Sequence, residues 1–214
     1  MITLTNEISL DTAESVLLSA LSNGSAFKAD NAIIYPDGER LIISGIPTDI
    51  DEIKFFAKMH GCKNVLSCAD LKMDGKLIES GETMRFLGNK VGNSADVFPD
   101  YKSVYSIMTE CFEMPDYNEF LPSIHAKIQS QNARIYSLEN SVAVVYCVRD
   151  VGFLNAICTC PTAQNKGEGS RLLSKICNDF KCIYLYKEIG KHDYFYKNAG
   201  FEKYSQFSLR EINF

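Results

Sequence analysis

Apolar residues recur at positions 50, 53, 56 and 57, and again at 172, 173, 176, 177 and 180, a spacing that gathers them on one face of a helix. The first of these helices is preceded by Thr48 and Asp51, spaced as a capping box, and followed by Gly61 as a stop. Another helix is predicted over Thr12 to Leu21, ended by the turn pair Asn23-Gly24. The β-rich runs Ala32 to Tyr35 and Arg40 to Ser44 flank Pro36-Asp37-Gly38 and predict a hairpin. Strands near Asn64 to Ser67 and Thr83 to Leu87 complete a small α/β unit, and the polar, glycine-containing stretch Gly88 to Asp96 marks a boundary between residues 1–95 and 96–214.

Beyond that boundary, Tyr101 to Phe112 and Tyr117 to Ser130 predict two helices separated at Met114-Pro115-Asp116, because Pro115 disfavours helix in the residue before it. Arg134 to Leu138 and Val142 to Val148 form a hairpin across Glu139-Asn140, and Phe153 to Cys160 continues the sheet. The second amphipathic helix then leads to a strand at Cys182 to Tyr186, a strand–helix–strand order that predicts a parallel crossover in an α/β (α+β) fold.

Composition narrows the function classes. The chain has 46% hydrophobic and 23% charged residues, an ordinary globular balance. A net charge of −5 argues against a nucleic-acid or anionic-membrane surface, which needs clustered Lys and Arg, and favours a basic small molecule or a peptide amine. Residues 1–10 lack the basic start and apolar core of a signal peptide, and no apolar run approaches membrane-spanning length, so a cytoplasmic chain is expected. The eight cysteines form no CxxC pair and read as buried reduced thiols. His60, His125 and His192 are scattered, so no metal site is expected.

The candidate chemistry lies between the strand ending at Cys160 and the helix that follows. There Gln164-Asn165-Lys166-Gly167-Glu168-Gly169-Ser170 opens a helix whose free N–H groups and positive dipole end suit an anion. Gly167 and Gly169 let the backbone approach a pyrophosphate closely, and Lys166 adds charge. The loop contains neither GxxxxGK[ST] nor a complete GxGxxG, which sets aside nucleotide triphosphatases and dehydrogenases. Two glycines easing a tight turn remain the alternative.

The run Ala156 to Leu173 resembles the acetyl-CoA signature of the GNAT acetyltransferases, a strand leading into Q/R-x-x-G-x-G/A, with Gln164, Gly167 and Gly169 at its fixed positions. Downstream, Tyr196, Gly200 and Phe201 resemble the family's Tyr-x-x-x-Gly-Phe motif. The resemblance covers roughly Val97 to Phe214 and implies a mixed, mostly antiparallel sheet flanked by helices, closed by a helix and a strand pair near Glu202 to Asn213. The smaller first part is expected to be an accessory or degenerate α/β domain. Where many members carry an Asn about six residues before the motif tyrosine, this chain has Gly190.

The resemblance implies attack of a neutral primary amine, on a small molecule or peptide, upon acetyl-CoA as cosubstrate. Backbone N–H groups around Ile157, Cys158 and Thr159 would face the thioester, residues 164–170 would hold the pyrophosphate, and Tyr196 would be the general acid. No base is assigned among water, Glu110, Glu113, Asp116, His125 and His192. Glu113 to Phe120, with Met114, Tyr117 and Phe120, would border the acceptor pocket. The alternative function is an acyl-CoA-binding sensor or interaction module without turnover.

Overall fold

The computed structural model describes residues 1–96 and 99–214 as a mixed α/β fold, with a mostly antiparallel sheet flanked by helices. Val97, where the family resemblance begins, lies outside the described residues. The chain divides into two compact units, one made of Met1–Met84, Tyr186–Lys191 and Lys203–Phe214, the other of Arg85–Leu185 and His192–Glu202. Among the described residues no helix is long and apolar enough to cross a membrane.

The first unit contains β1 (Ile2–Thr5), α1 (Ala13–Leu21), β2 (Ala26–Ala29), β3 (Ala32–Asp37), β4 (Arg40–Gly45), α2 (Ile50–Met59), β5 (Asn64–Ser67), most of β6 (Leu77–Leu87) and most of the final strand, Glu202–Glu211. Thr12 caps α1 in a reciprocal box with Ser15, each backbone N–H donating to the other's hydroxyl at 3.1 Å. The start of α2 differs from the expected capping box. Asp49, not Thr48, accepts the Glu52 N–H at 2.9 Å, and the Thr48 hydroxyl is drawn away to Asp30 at 2.5 Å. Ile34, Leu41, Ile43, Ile53, Ala57 and Val65 form the core of this unit.

Three differences from the sequence expectation have local causes. Strands β1 and β2 are short, and β1 has no buried position to give it an apolar rhythm. Strand β6 begins six residues early because it runs through Gly81, which breaks a strand pattern; a Cβ there would meet the Lys187 carbonyl at 2.3 Å. The expected final strand pair is a single strand, since Glu202–Glu211 contains no Gly, Pro or Asn to turn the chain.

The second unit contains α3 (Tyr101–Thr109), α4 (Tyr117–Gln129), β7 (Ala133–Ser137), β8 (Ser141–Val148), β9 (Val151–Thr159), α5 (Glu168–Cys177), most of β10 (Cys182–Lys187) and α6 (Asp193–Asn198). Strand β9 lies between antiparallel β8 and parallel β10, in the order β10-β9-β8-β7, with α5 as the crossover. The periodic apolar residues of α5, Leu172, Leu173, Ile176 and Cys177, are buried as expected.

Asp179, fully buried just after α5, ties the segment before α3 to this layer. Its carboxylate accepts the Ser94 N–H at 2.6 Å and the Tyr136 hydroxyl at 3.0 Å. Burial, with Asp179 second, raises the Tyr136 phenol far above its ordinary pKa, so it stays a donor. Asp179→Ala strands both donors and is expected to cost about 3 kcal/mol in urea unfolding, whereas a loss below about 0.5 kcal/mol would mean that water replaces the carboxylate.

Candidate acyl-CoA cleft

The site is built where β9 parts from its parallel neighbour. The β9–β10 register runs only from Val151↔Cys182 to Phe153↔Tyr184, while β9 continues to Thr159 in register with β8. The β8 ladder steps from Val145↔Leu154 to Val144↔Ala156, leaving Asn155 as the extra residue of a bulge. In an antiparallel ladder, alternate residues turn both backbone groups away from the partner strand. Past the bulge, the outgoing end of β9 therefore presents main-chain donors and acceptors on its open side.

The chain then makes a 3-10 turn at Pro161–Ala163 and enters α5 through two left-handed residues, Asn165 (φ 61°) and Gly167 (φ 80°). The Gln164 amide donates to the Thr159 carbonyl at 3.2 Å and closes the loop onto the strand end. Gly167 is the N-cap of α5, and no side chain caps that terminus. The first-turn N–H groups, unpaired within any helix, face outward with the positive end of the dipole. Glu168 does not spoil this. Its carboxylate turns to the β7–β8 hairpin, accepting the Asn140 N–H at 2.6 Å and the Asn140 amide at 3.3 Å, and the first of these bonds chiefly lowers its pKa. Gly169 packs closely, since a Cβ there would lie 3.3 Å from Thr159 Oγ1 and 3.7 Å from the Phe195 ring.

The strand end, the loop and α6 enclose a cleft of about 440 Å³. Its lining brings together Ile157, Cys158, Thr159, Gln164, Asn165, Gly167, Glu168, Gly169, Ser170 and Tyr196. Lys166 is not in the lining; its ammonium folds back onto the Thr162 carbonyl at 3.0 Å. Tyr196 is 9% exposed, edge-on to Phe195 and Phe201 at 5.0 and 5.7 Å, and burial pushes its phenol up to about 12.

Cys111, Phe112, Ala163 and Phe195, which the sequence did not mark as site residues, also line the cleft, as does His192, one of the unassigned candidate bases. His192 caps α6 with left-handed backbone, one helical turn before Tyr196, a placement that its scattered position in the sequence could not signal. From the region between α3 and α4, Cys111 and Phe112 reach the cleft. Phe120, buried, packs instead with Tyr105 and Tyr117 at ring distances of 5.3 and 6.5 Å. Among the described residues no cluster of three or more His, Cys, Asp or Glu could hold a metal ion.

No protein-family model matches the sequence, and no curated protein matches it either. Solved structures do match the fold. A GCN5-related N-acetyltransferase from Kribbella flavida aligns at TM-score 0.59 and 10% identity over 96% of this chain and 97% of that one. Its counterpart from Sphaerobacter thermophilus aligns at 0.57 and 11% over 88% and 78%, respectively. A tandem GNAT protein from the clavulanic acid biosynthesis pathway aligns at 0.54 and 10% over 100% and 99%. The fold is that of the GNAT acetyltransferases, and the likeness extends over nearly the whole chain.

Proposed function

We propose that this chain is an acyltransferase that moves an acetyl group from acetyl-CoA to a primary amine of a small molecule or peptide. The observation that carries the reading is the uncapped N-terminus of α5, which opens into the same cleft as the parted end of β9 and Tyr196. These residues fit the cosubstrate. A pyrophosphate suits the free amides of residues 168–170 at a dipole's positive end, and the pantetheine amides suit the open edge of β9. Acetyl-CoA supplies an activated thioester. The protein's part is to hold the carbonyl oxygen against main-chain donors of Ile157 to Thr159, each worth a few kcal/mol when preorganised.

Tyr196 offers the departing sulfur a hydrogen bond. With its phenol near 12 and an ordinary thiol near 8.5, full proton transfer would be uphill by roughly 4 to 5 kcal/mol, so Tyr196 acts as a donor that never ionises at neutral pH. Tyr196→Phe is expected to lower the rate of CoA release with a panel of primary amines by about 10²-fold while acetyl-CoA affinity stays within twofold. An unchanged rate would remove the hydroxyl from the chemistry. The same high pKa favours the second reading, a protein that binds an acyl-CoA without turning it over; for that reading, no amine in the panel releases CoA.

The first part of the chain fits an accessory or degenerate domain. Its β2-β3-β4-α2-β5 order repeats the β7-β8-β9-α5-β10 order, with a parallel β4–β5 ladder like that of β9–β10. Yet β4 stays in register with β5 through Ile43↔Ser67, and Asp49 fills the α2 cap with its own carboxylate. Nothing there parts to receive a ligand of this kind, so one acyl-CoA per chain is expected. A cytoplasmic location, without nucleic-acid or membrane partners, completes the reading and rests on the charge and cysteine pattern.

A further inference from the structure

The end of α3 and the outgoing end of β9 bring two thiols into one gap. Cys111 Sγ donates to the Thr159 carbonyl at 3.5 Å, and Cys158 Sγ lies 4.0 Å from the Ile107 carbonyl, one helical turn before Cys111. Cys111 thus reaches the strand that carries Cys158, and Cys158 reaches the last turn of the helix that leads to Cys111. Both line the cleft, and neither side chain has a part in the chemistry proposed above. Cys111 is half-buried, whereas Cys158 is 8% exposed and sits among the apolar residues of the second unit.

We infer that Cys111 and Cys158 form a two-electron oxidation site in the cleft wall, which a peroxide joins as a disulfide that closes the cleft to an acyl-CoA. The Cys111 sulfur, the one nearer solvent, attacks the peroxide; the O–O bond breaks, and Cys111 becomes a sulfenic acid with loss of one water. The Cys158 sulfur then displaces the sulfenic oxygen, which leaves with the Cys158 proton as a second water. Peroxide is reduced and the two thiols are oxidised by two electrons. Cys158, 8% exposed, is shielded from solvent peroxide, so the first oxidation falls on the half-buried Cys111 and Cys158 serves as the resolving thiol beside it. Burial, with Glu110 second, raises the pKa of the Cys160 thiol.

The disulfide would bind the end of α3 to β9 across the Ile157–Thr159 segment, so the effect on acetyl-CoA rests on the function proposed above. The test takes the full chain, reduced or treated with hydrogen peroxide, through peptide mapping under non-reducing conditions and titration with acetyl-CoA. The expected result is a linked Cys111–Cys158 peptide pair, lost in Cys111→Ser and Cys158→Ser and kept in Cys160→Ser. Acetyl-CoA affinity should fall at least tenfold and return with dithiothreitol. No linkage, or linkage of Cys111 to Cys160, overturns the assignment; a linked pair with unchanged affinity overturns the closure. Reduced protein that binds no acetyl-CoA would overturn the function instead, while the peptide map would still decide the thiol pair.

Discussion

Gly167→Asp is expected to weaken acetyl-CoA binding by at least 10²-fold without unfolding the chain. Gly167 sits at φ 80° at the mouth of α5, and a Cβ added there meets nothing within 4 Å, so the substitution finds room and pays only the left-handed backbone. That strain is about 1 kcal/mol. The larger effect is electrostatic, because a carboxylate at the N-cap meets the same first-turn amides and dipole end that would receive the pyrophosphate. Gly167→Ala separates the two contributions. It carries the strain without the charge and should lose no more than about tenfold in affinity. Equal losses in the two variants would mean that loop conformation, rather than charge at the helix end, governs binding.

Glu82→Gln is expected to destabilise the protein by about 3 kcal/mol at neutral pH, with no direct role in the cleft. The Lys187 ammonium, 3% exposed, rests on Glu82 at 2.6 Å, and the exposed Lys203 adds a second contact at 2.7 Å. Removing the carboxylate takes a 2.6 Å counter-charge from this buried cation, which also lies 3.3 Å from the Glu188 carbonyl. Lys187 first, then Lys203, hold the Glu82 pKa down to about 2. A depressed carboxylate pKa stabilises the folded chain above the ordinary carboxylate value, and that contribution is lost as pH falls through 2. Urea unfolding of wild type and variant should therefore differ most near pH 7 and converge below about pH 2. A gap that persists unchanged into acid would assign the effect to packing.

The sequence made the second unit more legible than the first. Strands β7, β8 and β9 carry nearly unbroken apolar runs, and α5 has its buried residues at helical spacing, so pattern alone found each of them. In the first unit, β1 and β2 lack the run of consecutive buried residues that marks the equally short β5. At α2 the sequence pointed to Thr48 as the cap, but a partner distant in sequence, Asp30, takes its hydroxyl and Asp49 caps the helix instead.

The candidate site divides in the same way. Gln164, Gly167 and Gly169 stand in one local run whose spacing carries its own meaning, and the fold sets them at the end of the strand that parts from β10. Cys111, Phe112 and His192 reach the cleft through tertiary packing, with no local pattern to mark them. Lys166 shows the converse limit. A cation beside two glycines suggests a phosphate contact, but the side chain has the freedom to fold back onto the preceding turn, and does so at Thr162.

Whether the cleft is an acyl-CoA site is decided by calorimetric titration of the wild-type chain with acetyl-CoA. Saturable binding of one acetyl-CoA per chain with micromolar affinity, weakened by rising salt as expected for a pyrophosphate at a helix end, is the predicted result. Well-folded protein that takes up no acetyl-CoA would contradict the account and leave Gly167 and Gly169 as residues of a tight strand-to-helix turn.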